Sequence, residues 1–169
     1  MEKEQQMKLD PIYLNERGSN CTWNRETDNQ KYQFLSNQMI ELMLKKRGIG
    51  LAANQCGLRM QFFVMKKADG TFTTCINPEI LSLKDDWHGE VRMEKVEEGC
   101  LSYPGETHVV ERPYGVEVSY QDYKGTKVIE SLEGIDARCW LHEYDHCQGI
   151  TIRERSKGEV KDEFKYAKS

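Results

Sequence analysis

Apolar residues along this chain recur first at helical spacing, then in alternation, then at helical spacing again. Between Asp28 and Arg47, the residues Tyr32, Leu35, Met39, Leu42 and Met43 fall on one side of a helical repeat, which predicts a helix with one buried face. Asp28 is the expected N-cap and Gly48 the expected stop. "QFFVMKK" and "TFTTCIN" then read as two short strands joined by a turn at Asp69-Gly70. Residues 88–97 carry Val91, Met93 and Val96 in rough alternation. "THVVERP", "GVEVSYQ" and "TKVIESLEG" follow as three more strands, separated by Pro113 and by Lys124-Gly125. Helical spacing returns over residues 135–147, where Ile135, Cys139, His142 and His146 share a face and Gly149 sits at a C-cap position. A helix, a run of strands and a closing helix predict an α+β fold rather than alternating βαβ units, with antiparallel sheets packed around the second helix.

Length and charge narrow the classes. The 169 residues are read as a single domain, with a polar segment over about residues 1–9 and a short charged tail over about 156–169. A net charge of −4 and the lack of a basic stripe exclude a nucleic-acid footprint. No stretch approaches the ~20 apolar residues that cross a bilayer. "MEKEQQMKLD" lacks the apolar core of a signal peptide, so a cytoplasmic setting is expected. Six cysteines are scattered without a CxxC pair, and in a reducing compartment they are expected to be free.

Candidate chemistry concentrates in "WLHEYDHCQG", where His142 and His146 stand four apart. That spacing puts two imidazoles on one helical face a turn apart, which is half of a metal site. Glu143 lies roughly 100° round the helix. It is badly aimed for ligation but able to reach water beside a metal, the geometry of a general base. Two exposed helix histidines are the plain alternative. A catalytic site keeps three protein ligands and an open position. No histidine follows His146, so the third ligand is expected upstream. Cys147 turns away from the histidine face, and Cys139 lies a turn before His142 with too short a side chain. Cys100, in "EEGCLSYPG", remains. Gly99 permits a bend before it and Pro104-Gly105 turn the chain after it, with a packed core cysteine as the other reading.

Three segments, "GIGLAANQ" (Gly48 to Gln55), "EGCLS" (Glu98 to Ser102) and "HEYDH" (His142 to His146), resemble the signature motifs of the peptide deformylases, in that family's order and at compatible separations. The resemblance runs from about residue 10 to about residue 155. It implies a metal-dependent hydrolase that removes the formyl group from N-formylmethionine of nascent polypeptides and releases formate. On that resemblance Cys100, His142 and His146 are the metal ligands and Glu143 the general acid/base. Gln55, through its side-chain amide, and Leu101, through its backbone N–H, then stabilise the oxyanion. The backbone of Gly48, Ile49 and Gly50 approaches the substrate, while Val96, Ile135 and Cys139 are candidates for an apolar methionine pocket. Asp145 and Arg112 are expected to pair behind the ligands.

The implied metal is one Fe(II) ion, replaceable by zinc, nickel or cobalt, although one thiolate and two imidazoles by themselves suit zinc. The implied partners are formyl-methionyl peptides and nascent chains, with the ribosome that carries them. Leu141 and Cys147 depart from the residues common at those positions, and Cys147 would set a thiol next to an iron site. A zinc endopeptidase on the same HExxH helix and a non-catalytic, metal-stabilised binding domain are the competing readings.

Overall fold

Four consecutive residues of strand β2 (Phe62–Lys66) are buried, Phe62 through Met65. A buried run without alternation means that both faces of the sheet are covered. Helix α1 (Asp28–Lys45) covers one face, where Phe62 and Val64 join Met39, Leu42 and Met43 in a single cluster. Helix α2 (Gly134–Cys147) covers the other, where Phe63 and Met65 join Ala137, Trp140 and Leu141. Trp140 is wholly buried, edge-on to Phe63 at 5.4 Å between ring centroids and stacked on Tyr144 at 5.5 Å. The computed structural model describes residues 6–166. The first five residues of the polar segment and the last three of the charged tail lie outside the described residues.

The main sheet has the order β1-β2-β3-β6-β7, with β1 (Gly50–Ala52), β3 (Phe72–Leu83), β6 (Gly115–Gln121) and β7 (Lys127–Glu133). A separate ribbon joins β4 (Met93–Cys100) to β5 (Tyr103–Pro113). Every ladder is antiparallel, so the chain is an α+β protein with antiparallel sheets. A short helix, α3 (Ile152–Lys157), packs on the ribbon. Strand β1 pairs with β2 on one side only and leaves its other edge open. All six cysteines are free. Among the described residues, no helix is long and apolar enough to cross a membrane.

Several local expectations are corrected. Thr27, not Asp28, is the N-cap of α1. The carboxylate of Asp28 instead accepts from the backbone N–H groups of Asn24 and Arg25, at 2.7 and 3.0 Å. At the other end, Arg47 takes the left-handed conformation (φ 60°), while Gly48 N–H donates to Met43 O at 2.9 Å and Arg47 N–H to Leu44 O at 3.0 Å. These two bonds are a Schellman closure, and they leave Gly48 for another use. Strand β3 runs past Asn77, where the sequence suggested an end. A register shift there, with Asn77 at φ 52°, carries the strand through. Strand β4 begins later than residue 88, because Asp86 accepts from His88 N–H and Glu90 N–H and holds that stretch in a turn. Neither β1 nor α3 is visible in the hydrophobic pattern, both being too short to show a period.

The double-sided core predicts an asymmetric response to two phenylalanine truncations. Phe63→Ala removes a wholly buried ring and is expected to cost about 3–5 kcal/mol. Phe72→Ala, on the same sheet but half exposed, should cost less than about 1 kcal/mol. Urea unfolding of both variants measures the difference.

Candidate active site

Helix α2 presents Cys139, His142, Glu143 and His146 towards the ribbon and β1. Cys100 comes to meet them from the end of β4, where the register with β5 shifts between Gly99 and Cys100. That irregularity turns the sulfur out of the ladder. One donor atom each from Cys100, His142 and His146 lies within 4.8 Å of the others, and Cys100 Sγ is 3.4 Å from His146 Nε2. Ligands round a tetrahedral ion stand roughly 3.5 Å apart, so the set needs little adjustment to close on a divalent cation.

The side chains around these three also fit a cation. Glu98 Oε1 accepts from His142 Nδ1 at 2.9 Å, which orients the ring and turns Nε2 towards the other donors. Burial opposes the charge of Glu98, but Arg112 and His142 hold its carboxyl well below the usual carboxylate range. Burial likewise opposes a proton on His142, yet the neighbouring Cys100, Glu98 and Glu143 outweigh it and raise its pKa to about 10. A field that favours a proton there favours a metal cation too. His146 is pushed the other way, first by burial and then by the charge of His142, so its ring is neutral, as a ligand's must be.

Glu143 is buried, and burial raises its carboxyl to about 7. Its Oε2 is 3.9 Å from His142 Nε2, and its Oε1 has no hydrogen-bond partner among the described residues. A buried carboxylate left open beside the three donors is placed to exchange a proton there. Gly50 makes that placement sterically feasible: a Cβ at residue 50 would stand 2.4 Å from Glu143 Oε2. Gly48 does the same for Leu101, whose Cδ1 would stand 2.7 Å from a Cβ at residue 48. Gln55 is oriented at both ends. Its Oε1 accepts from Ala52 N–H at 2.9 Å, and its Nε2 donates to Ser102 Oγ at 3.0 Å while lying 3.6 Å from Cys100 Sγ.

Gln55, Glu98, Cys100, Leu101, His142 and Glu143 line one cavity of about 980 Å³. Ile49, Val96 and Ile135 line it with their apolar side chains 48%, 42% and 60% exposed, an apolar surface gathered at one place rather than scattered. Cys139 lies deeper, its thiol directed at Ile49 O at 3.4 Å. The cavity therefore brings together every residue singled out from the sequence for the site, apart from His146, which lies behind its wall.

The supporting residues differ from expectation. Asp145 does pair with Arg112, Nη1 to Oδ2 at 2.8 Å, but it reaches neither ligand histidine; Glu98 takes that role for His142. Glu98 lies two residues before Cys100, but the register shift between Gly99 and Cys100 breaks the alternation that would have put the two on one face. Arg138, which donates to Glu98 Oε2 at 2.6 Å, and Asn54, which donates to the carbonyl of His146, gave no signal. Cys147 does not adjoin the metal donors. It is wholly buried in the core between α2 and the sheet, and burial keeps its thiol protonated.

Comparison with known proteins gives the same reading. Residues 13–162 match the family model described as polypeptide deformylase. The peptide deformylase of Thermotoga neapolitana is 43% identical over 120 residues, covering 71% of this chain and 69% of that protein. The crystal structure of peptide deformylase from Thermotoga maritima superposes with a TM-score of 0.79 at 34% identity, covering 90% of this chain and 98% of that one. A peptide deformylase from Synechococcus elongatus, solved in complex with actinonin, gives 0.78 at 31% identity over 96% of this chain and 83% of that one. The family match runs unbroken through the glycine stretch, the displaced cysteine and the histidine helix, and the chain belongs to the polypeptide deformylase family.

Proposed function

We propose that Cys100, His142 and His146 hold one divalent metal ion and that the cavity beside them takes the formyl-methionyl end of a nascent polypeptide. The observation that carries this is the clustering of Cys100, His142 and His146, with an open buried carboxylate and an oriented glutamine amide, beside a single cavity. Bound there, the ion would supply Lewis acidity that lowers the pKa of water. Glu143 takes a proton from the attacking water as its oxygen bonds to the formyl carbon, and returns a proton to the amide nitrogen as the C–N bond breaks, giving formate and a free amino terminus. Gln55 Nε2 and the N–H of Leu101 donate to the oxygen on which charge develops. The open edge of β1 pairs with the extended peptide backbone through Ile49 and Gly50, in the manner of an added strand. Ile49, Val96, Ile135 and Cys139 receive the methionine side chain.

In this reading α2 is the central helix around which the sheets gather, α1 is the N-terminal helix, and residues 1–169 act as one catalytic domain. The metal is Fe(II), with zinc, nickel or cobalt able to replace it. The setting is a cytoplasm where nascent chains are made, and the ribosome is the partner that this substrate implies. An endopeptidase is not favoured: the family match and the solved relatives all carry the deformylase name.

Formate release from a formyl-Met peptide by the metal-loaded chain tests the function. Glu143→Gln should lower kcat by about 10²–10⁴-fold with the metal retained, as metal analysis of the same sample would show. Retained activity would remove Glu143 from the chemistry, and cleavage of an internal peptide bond would revive the endopeptidase.

Gly50→Ala tests the crowding behind β1. Its new Cβ displaces Glu143, so kcat/KM should fall by about 10²-fold while the unfolding midpoint changes little. An active Gly50→Ala enzyme would show that Glu143 does not need that position.

A further inference from the structure

Arg112 is wholly buried, and four of the five N–H hydrogens of its guanidinium have acceptors among the described residues. Nε and Nη2 donate to the two oxygens of Glu98, at 2.6 and 2.8 Å. Nη1 donates to Asp145 Oδ2 and to the hydroxyl of Tyr166, both at 2.8 Å. Tyr166 lies far beyond the histidine helix, in the segment that the sequence marks only as a charged tail. Arg155 of α3 brings it back. That guanidinium stands 4.3 Å from the Tyr166 ring centroid, donates to Phe164 O at 2.7 Å, and grips Asp145 through Nη2 at 2.6 Å and Nε at 3.0 Å. Tyr166 also packs against the core cluster that contains Trp140.

We propose that Tyr166 is a positioning residue of the metal site, acting through Arg112 and Glu98 on the ring of His142. The inference rests on reading Cys100, His142 and His146 as the metal ligands. Each link is a hydrogen bond of ordinary length: Tyr166 to Arg112, Arg112 to Glu98, Glu98 to His142. Nη1 has two hydrogens and two acceptors, Asp145 and Tyr166. Without the tyrosine oxygen, Nη1 of a fully buried cation loses one of its two acceptors and a further hydrogen goes unpaired, which is a costly state. The guanidinium relieves it by turning, or water enters beside it. Either change slackens the hold on Glu98 and gives the His142 ring freedom that a ligand should not have. The tail therefore acts on the site without touching it.

The test uses the full chain loaded with nickel(II) and mixed with excess EDTA, following the thiolate-to-nickel charge-transfer band. Tyr166→Phe keeps the ring and its packing and removes only the oxygen. It is expected to release nickel about tenfold faster than the wild type, within the 10–100-fold range seen when support behind a ligand is lost. In formate release it should lower kcat and leave KM unchanged. Leu42→Ala, in the cluster on the α1 side of the sheet, is the control for stability. It should destabilise the protein more and yet release nickel at the wild-type rate. The proposal is overturned if Tyr166→Phe releases nickel no faster than wild type, or if Leu42→Ala releases it as fast as Tyr166→Phe. A wild-type chain that shows no charge-transfer band after nickel loading overturns the reading of the ligands, and this inference with it.

Discussion

A guanidinium shut away from water ties the parts of this molecule that must not move. Arg112 belongs to β5, yet its hydrogen bonds end on β4, on α2 and on the segment after α3. Burying such a cation costs several kcal/mol, and the cost is recovered only where acceptors are complete and well aimed. Here two buried carboxylates, Glu98 and Asp145, supply the opposite charge. The ribbon carries Cys100 and the helix carries both histidines, so this ion pair, together with Arg138 and its bonds to Glu98 and Val110 O, ties the two elements that bring these residues together.

The glycines of the first motif serve the same end from the opposite side. Edge strand β1 runs against Glu143 and Leu101 so closely that a methyl group at residue 50 or 48 would collide with them. Helix closure does not need Gly48, because Arg47 already takes the left-handed turn. What these positions demand is room. The backbone at residues 48 and 50, the Glu143 carboxylate and the Leu101 side chain share a volume that only hydrogen-sized side chains leave free.

Much of the site could be read from the sequence because its chemistry is carried by residue type at fixed spacing. His142 and His146 sit one turn apart whatever surrounds them, and Glu143 follows from the same geometry. Helix α1 and the long strands were legible because each buries a periodic face. What could not be read was everything fixed by long-range packing. No local pattern separates Glu98 from the exposed Glu97 beside it, or marks Arg138 as a half-buried donor to Glu98. Cys147 follows His146 directly, yet its place round the helix turns it away from the histidine face, and it packs in the core between α2 and the sheet. The short elements β1 and α3 carry too few residues to show a period, and tertiary contacts alone hold them in place.

Arg112, Glu98 and Asp145 all precede Tyr166 in the chain, and this ordering has a consequence for biosynthesis. A ribosome adds roughly 5–20 residues per second, and the residues emerge in sequence. His146 is therefore made about one to several seconds before Tyr166. During that interval Cys100, His142 and His146 already exist, but the network behind them lacks the hydroxyl that Arg112 Nη1 donates to.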